Sequence, residues 1–306
     1  MRIIITGGTG LIGQALSVRL VSEGHEVLVL SRSPARAPDA LAGVQVARWD
    51  ARTAEGWVRF ASGADAIVNL AGASLATRWT PHSKRVIRES RLNAGRAVVQ
   101  ATAQATSKPG VVVQASGAGY YGPRGDEALT EEAPPGPGFL GQTAVAWEAS
   151  TSPVGESGCT QPGSRHIVIR SGVVLTPKGG ALPRMMLPFR FFVGGRLGAG
   201  NQWLPWIHID DEVRAIQFLI ETAAASGPFN VTAPKPVTNR EFSRVLGQVM
   251  HRPALFPVPS FVLQLLLGEM STVLLDGQRA VPQNLLDLGF TFRFPDLEAA
   301  LRDLLD

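Results

Sequence analysis

The chain has 306 residues, 45% hydrophobic and 18% charged, a balance that supports a packed globular protein and excludes a disordered one. Its formal net charge is +4, and its 25 arginines and 4 lysines are scattered along the chain, which excludes a basic nucleic-acid-binding run. The single cysteine, Cys159, excludes an intramolecular disulfide and a thiol-rich metal site.

The first expected strand is Arg2-Ile3-Ile4-Ile5-Thr6, a short β-branched run. Gly7-Gly8-Thr9-Gly10-Leu11-Ile12-Gly13 follows without a break, and Gln14 to Val21 carries apolar residues at helical spacing. In this strand, glycine turn and helix, Gly7 permits the tight turn. Gly10 lets backbone approach a pyrophosphate, and Gly13 lets the helix pack close to the strand. The free N–H groups at the helix start then favour the phosphates. A fold that starts at residue 2 leaves no room for a targeting peptide. The most apolar late stretch, Phe261 to Leu275, is interrupted by Gln264 and Glu269 and is too short for a bilayer. A cytoplasmic protein that does not enter membranes is expected.

Further strands are expected at Glu26–Leu30, Val44–Ala47, Ala66–Leu70, Val111–Ala115 and Ile167–Arg170, with a long helix from about Ser83 to Ala105. Near-continuous apolar strands between helices predict an α/β fold, a Rossmann-type doubly wound parallel sheet. Past Val174, Pro- and Gly-rich segments separate shorter runs. Trp206–Ile209 and Phe229–Val231 read as strands, with Asp210-Asp211 placed to cap a helix from about Glu212. Thr238 and Glu241 have capping-box spacing. The expected division is a Rossmann core over residues 1–173, with 203–232 returning to it. A smaller C-terminal α/β substrate domain then covers 174–306 and ends in a helical tail from about residue 250.

The end of the second strand selects the dinucleotide. A carboxylate there would accept the ribose 2′-OH and repel a 2′-phosphate. Ser31 and Arg32 stand there instead, a hydroxyl and a guanidinium suited to a phosphate, so NADP(H) is expected.

Thr6 to Gly13, Asp50, Asn69-Leu70-Ala71-Gly72 and Gly119-Tyr120-Tyr121-Gly122 together resemble the extended short-chain dehydrogenase/reductases, the nucleotide-sugar epimerase and dehydratase superfamily. Ser90-Arg91-Leu92, Trp147-Glu148, Arg170 to Leu175, Pro205 to Ile209, and the tail from Arg252-Pro253 through Pro282 to Gly289-Phe290 are similar to a narrower, atypical branch, the epimerase family proteins. The resemblance spans nearly the whole chain. It implies bound NADP(H), with Leu70 and Ala71 lining the cofactor, Arg91 approaching it from the long helix and Val174 near the nicotinamide end. Thr9, Leu11, Ile12, Asp50 and Gly72 complete the expected cofactor set.

Catalysis in that superfamily needs Ser/Thr, Tyr and Lys, the lysine lowering the tyrosine's pKa so that it exchanges protons at neutral pH. No tyrosine here precedes a lysine by four residues. If Glu148 matches the glutamate after that pair, the tyrosine slot falls on Leu140 and the lysine slot on Ala144. Counting back from Tyr121-Gly122, the serine slot falls on Gly117, one residue after Ser116. The expected proton donors are therefore Ser116, Tyr120 and Tyr121, with packing against the cofactor as the other role for the tyrosines. Tyr120 and Arg124 have the right spacing, but Gly122 and Pro123 break a helical turn between them. Glu148 is a base or a structural carboxylate, and His208 reads as a packing histidine. The five histidines show no metal-ligand spacing, and no metal is expected. Two functions follow. One is an NADP(H)-dependent oxidoreductase or epimerase-like enzyme acting on a small molecule in a cleft between the sheet's carboxyl edge and the C-terminal domain. The other is a catalytically degenerate NADP(H)-binding sensor or scaffold.

Overall fold

The computed structural model describes residues 1–37, 39–41, 43–155 and 164–306; Cys159 lies outside these. Strands β1 (Arg2–Thr6), β2 (Glu26–Ser31), β3 (Gln45–Arg48), β4 (Ala66–Asn69) and β5 (Val111–Gly117) alternate with helices α1 (Leu11–Ser22), α2 (Val58–Ala61) and α3 (Pro81–Gln104). The short β6 (Ala128–Leu129) and α4 (Gly138–Ala149) precede β7 (Arg165–Ser171). Next come β8 (Val173–Leu175), α5 (Leu182–Arg190), β9 (Trp203–Leu204), β10 (Trp206–His208), α6 (Ile209–Glu221), β11 (Gly227–Val231), β12 (Val237–Thr238) and α7 (Asn239–Val249). The tail holds α8 (Ser260–Leu267), α9 (Thr272–Leu275), β13 (Arg279–Ala280), α10 (Gln283–Asp287) and α11 (Leu297–Leu305).

Seven parallel strands form the central sheet in the order β11-β7-β5-β4-β1-β2-β3. Alternation along β1 sends Ile3 and Ile5 to the face packed by α1 and α6, and Ile4 to the face packed by α3. Both faces are thereby dry, which is why the strands read as continuous apolar runs. The strand order reverses between β1 and β4, and open parallel sheets bind ligands in the crevice above such a reversal.

From the segment that returns to the core, β11 joins the central sheet, whereas β10 pairs with β8 in a separate two-stranded ladder and β9 pairs with β12. The C-terminal region has its own core, in which Trp206, Phe242, Leu246 and Leu301 are buried together. The tail also reaches back: Leu285, Phe290 and Phe292 belong to the cluster under the central sheet, and Asn284 Nδ2 donates to the Pro228 carbonyl of β11.

The start of α6 differs from the capping expected at Asp210-Asp211. The helix begins at Ile209, and His208 is its cap, Nδ1 accepting from the Asp210 N–H at 3.0 Å. Its ring stacks on Phe294 at 4.0 Å, and burial pulls its pKa down against the nearby aspartates. Asp211 is thereby released to accept the N–H groups of Arg293 and Phe294, both at 2.8 Å, joining the helix to the tail.

Candidate functional site

The glycine-rich turn sits where β1 meets α1, and its geometry is set by three close approaches. Gly7 has φ +68°, and a methyl group on it would lie 2.8 Å from the Leu70 carbonyl carbon. A methyl on Gly13 would lie 2.5 Å from the Gly8 Cα. Gly10, the N-cap of α1, has φ −80° and only the Gly7 carbonyl oxygen near its missing side chain, at 3.2 Å. No side chain caps α1, so its first N–H groups face the open space above Gly10. A pyrophosphate fits this cradle. Thr9 contributes its carbonyl to Gln14 Nε2 at 2.7 Å, Ile12 packs on the core, and Leu11 touches the Gly179-Gly180 turn that follows Val174.

Gly10→Ala is expected to leave folding nearly unchanged, because alanine adopts this φ, while filling the phosphate cradle. NADPH affinity, measured by fluorescence titration, should fall at least about tenfold, the equivalent of about 1.4 kcal/mol. Unchanged affinity would place the phosphates elsewhere.

At the end of β2, Ser31 is buried with its Oγ accepting from the Ser33 N–H, and Arg32 is exposed with no ion pair among the described residues. Asp50 closes a turn after β3, accepting from the Arg52 and Thr53 N–H groups and the Thr53 hydroxyl. Burial pushes its carboxyl up, but those hydrogen bonds and the Arg52 charge outweigh it and hold the pKa below the usual range. Leu70, Ala71 and Gly72 follow β4. Arg91 underlies them: its guanidinium packs on Gly72, lies 4.7 Å over the Trp147 ring, and donates from one nitrogen to the Ala73 and Ile87 carbonyls, each at 3.0 Å. Burial lowers its pKa to about 10. Gly7, Leu70, Ala71 and Arg91 thus form one continuous surface with the glycine turn.

A cleft of about 310 Å³ opens at the sheet's carboxyl edge. Its core-side wall is Gly119, Leu140, Ser171, Gly172 and Val173, and its opposite wall is Gln202, Trp203, Asp276 and Gln278. Leu140 lies in the first turn of α4, against Gly119, and Ala144 is buried one turn later. Asp276 has no side-chain partner among the described residues, and burial raises its pKa. Its backbone is pinned. The Asp276 N–H donates to the Thr272 carbonyl, and Gly277 packs so tightly on Trp203 that a methyl there would be 2.3 Å from the Trp203 nitrogen. No sequence signal marks Asp276, because the residues that make it part of a cleft come from distant loops.

Ser116, Tyr120 and Tyr121 are brought together, but around Arg170 rather than around the cleft. Ser116 Oγ donates to Glu148 Oε1 at 2.6 Å. Arg170, 4% exposed, forks that carboxylate with Nε at 3.0 Å and NH2 at 2.9 Å, and its NH1 donates to the Tyr121 hydroxyl and the Glu131 carbonyl. Tyr121 donates in turn to Asn230 Oδ1 at 2.7 Å, is completely buried, and has its pKa pushed up to about 12 by that burial. The Tyr120 ring lies 3.5 Å from the Arg170 guanidinium carbon. Beneath the sheet, Ser171 Oγ donates to Glu212 Oε1 at 2.7 Å, while Glu212 Oε2 is buried without a partner among the described residues. Among the described residues, three potential metal ligands meet only at Glu23, His25 and Glu221, at the opposite end of α1 from the glycine turn.

The NAD dependent epimerase/dehydratase family matches residues 3–140, and a domain of unknown function, DUF1731, matches residues 258–304. The epimerase family protein YfhF of Bacillus subtilis is 40% identical over 306 residues, covering 100% of this chain and 98% of that protein. An epimerase family protein of Staphylococcus haemolyticus is 40% identical over 304 residues, covering 99% and 98%. The crystal structure of human epimerase family protein SDR39U1 (isoform 2) with NADPH has a TM-score of 0.87 at 34% identity, covering 99% of each chain. No helix among the described residues is long and apolar enough to cross a membrane.

Proposed function

The chain belongs to the epimerase family proteins of the NAD-dependent epimerase/dehydratase family, and from that membership we propose that it is an NADP(H)-dependent oxidoreductase or epimerase-like enzyme working in the cleft at the sheet's carboxyl edge. The observations that carry this reading are the glycine turn, where only the Gly7 carbonyl oxygen stands near the missing side chain of Gly10, and a walled cleft lined by Val173 at the sheet's carboxyl edge. A bound nicotinamide supplies hydride exchange at its C4. Arg32, exposed and free of an ion pair among the described residues, supports 2′-phosphate recognition. Titrations with NADPH and NADH check that assignment, and equal affinities would overturn it.

The expected donors Ser116 and Tyr121 have their hydroxyls committed to Glu148 and Asn230, and Tyr120 is stacked on Arg170. Their role in this reading is to tie β5, α4, β7 and β11 together through Glu148, Arg170 and Asn230. Asp276 carries the proton: it faces the cleft, lacks a partner among the described residues, and partial burial favours its neutral acid form. Carbonyl reduction should therefore fall as pH rises through the raised Asp276 pKa, since only the acid donates. Asp276→Asn should cost at least about a hundredfold in kcat and flatten that limb, with NADPH affinity unchanged. Single-turnover NADPH oxidation across pH, with each variant, is the measurement. An unchanged profile would remove Asp276 from the chemistry.

Leucine and alanine at positions 140 and 144 favour the second reading, an NADP(H)-binding sensor without turnover. Deuteride transfer from labelled NADPH to any carbonyl compound would end it.

A further inference from the structure

Next to the cleft lies a second, larger chamber of about 760 Å³. Met185 and Phe189 of α5, Phe242 and Leu246 of α7, and Leu267 and Met270 of the tail line it. Leu75, Met185, Val273 and Leu274 line both spaces, so the chamber adjoins the cleft across these apolar side chains. A ligand whose reactive carbon stands beside Val173 therefore has one dry direction in which to extend.

The polar groups of this chamber are largely occupied. Arg91, assigned above to the cofactor side, closes one end of the chamber and gives its hydrogen bonds to the Ala73 and Ile87 carbonyls and its face to Trp147. Ser243 Oγ donates to the Gly195 carbonyl. Arg184 is the other cation lining the chamber among the described residues. One available guanidinium does not neutralise a diphosphate, and removing an uncompensated phosphate from water is costly. Asn239 stands where chamber and cleft meet. Its Oδ1 accepts from the Leu197 N–H at 2.7 Å, which leaves the amide N–H2 as a donor without a partner among the described residues. The outer wall continues the apolar character. Phe191, Phe192 and Phe256 are exposed, and the 194–196 backbone pairs with that of 256–258 to hold them there.

We propose that the substrate is an uncharged, elongated, mainly hydrocarbon or aromatic carbonyl compound, or the matching alcohol, with its oxygen in the cleft and its tail in this chamber. A sugar nucleotide is not the substrate. The inference rests on the oxidoreductase reading for its chemistry: hydride from NADPH adds to the carbonyl carbon, a proton adds to the oxygen, and NADP⁺ and the alcohol leave. Its binding half stands on the chamber alone.

The test is calorimetric titration of the NADPH-loaded protein with straight-chain methyl ketones of about six to about twelve carbons, and with UDP-glucose. Affinity should climb about fourfold per methylene, the equivalent of about 0.8 kcal/mol, until the chamber is full. Met270→Trp, at a half-buried position, should end the climb at a shorter chain while NADPH affinity stays unchanged. Leu267→Trp serves the same purpose if the first variant does not fold. A flat series, no ketone binding, or UDP-glucose binding above the ketones would overturn the proposal. Ketones that bind with the climb but are not reduced would support the chamber assignment and sink the oxidoreductase reading, so the two failures are distinguishable.

Discussion

Glu148→Ala is expected to destabilise the protein by about 3–5 kcal/mol, measured as a fall in the urea midpoint at constant m. The glutamate is the carboxylate that forks the buried Arg170 guanidinium with two hydrogen bonds, and it also accepts the Ser116 hydroxyl. Burial alone would pull the Arg170 pKa down, but the bond and charge of Glu148 outweigh it and raise it. Truncating the partner leaves a desolvated cation among β5, α4 and β7, and that orphaned charge is the source of the loss. Removing both charges tests the same idea from the other side. Glu148→Leu with Arg170→Met should recover most of the loss, because well-packed apolar replacements of a buried pair are often neutral or stabilising. A single-variant loss below about 1 kcal/mol would mean that water reaches Arg170.

Glu212 gives the second large effect, and its sign is opposite to that of a salt-bridged carboxylate. It is fully buried among α6, β7 and the sheet core, and desolvation pushes its pKa up to about 8 despite the Ser171 hydrogen bond. Unfolding returns it to its ordinary value of 4.5, so above that pH the unfolded chain releases a proton that the folded chain keeps. The contribution of this residue to stability is therefore intact below pH 4.5 and falls by about 1.4 kcal/mol per pH unit until the pH passes the folded pKa. Glu212→Gln removes the titration. Between pH 5 and pH 8, unfolding free energies of the variant should gain about 3 kcal/mol on those of the native chain. A constant difference across that range would mean that Glu212 is already ionised in the fold.

The glycine turn was legible because its requirements are local: positive φ at Gly7 and close contacts at Gly7 and Gly13 follow from residues a few places apart. The parallel sheet was legible for a related reason, since short apolar, β-branched runs bounded by turn residues and alternating with helical patterns mark strands dry on both faces. The arrangement around Arg170 was not. Ser116, Tyr121, Glu148 and Arg170 each stood out alone, but their pairing depends on β5, α4 and β7 meeting in space. His208 showed the same limit, because an apolar strand neighbourhood gives no hint that the next helix uses the imidazole as its cap. Asp276 and the chamber were invisible because their walls combine the 73–76 loop, α5, α7 and the tail, segments that have no spacing relation to one another.

The tail that reaches back under the sheet also fixes when the protein becomes competent. Asn230 of β11 donates to the carbonyls of Leu129 and Val281, β13 pairs with β6, and Phe290 and Phe292 fill the cluster beneath the central strands. The glycine turn and its partners Leu70 and Ala71 are translated well before Asp276 and the segments that fasten it. The glycine turn therefore has its close partners available before the walls of the cleft are translated. Contacts between the two ends close last, as expected for pairings of such sequence separation. A molecule cut before Leu267 would lose walls of the chamber and, with Leu285, Phe290 and Phe292, part of the packing beneath the central sheet as well.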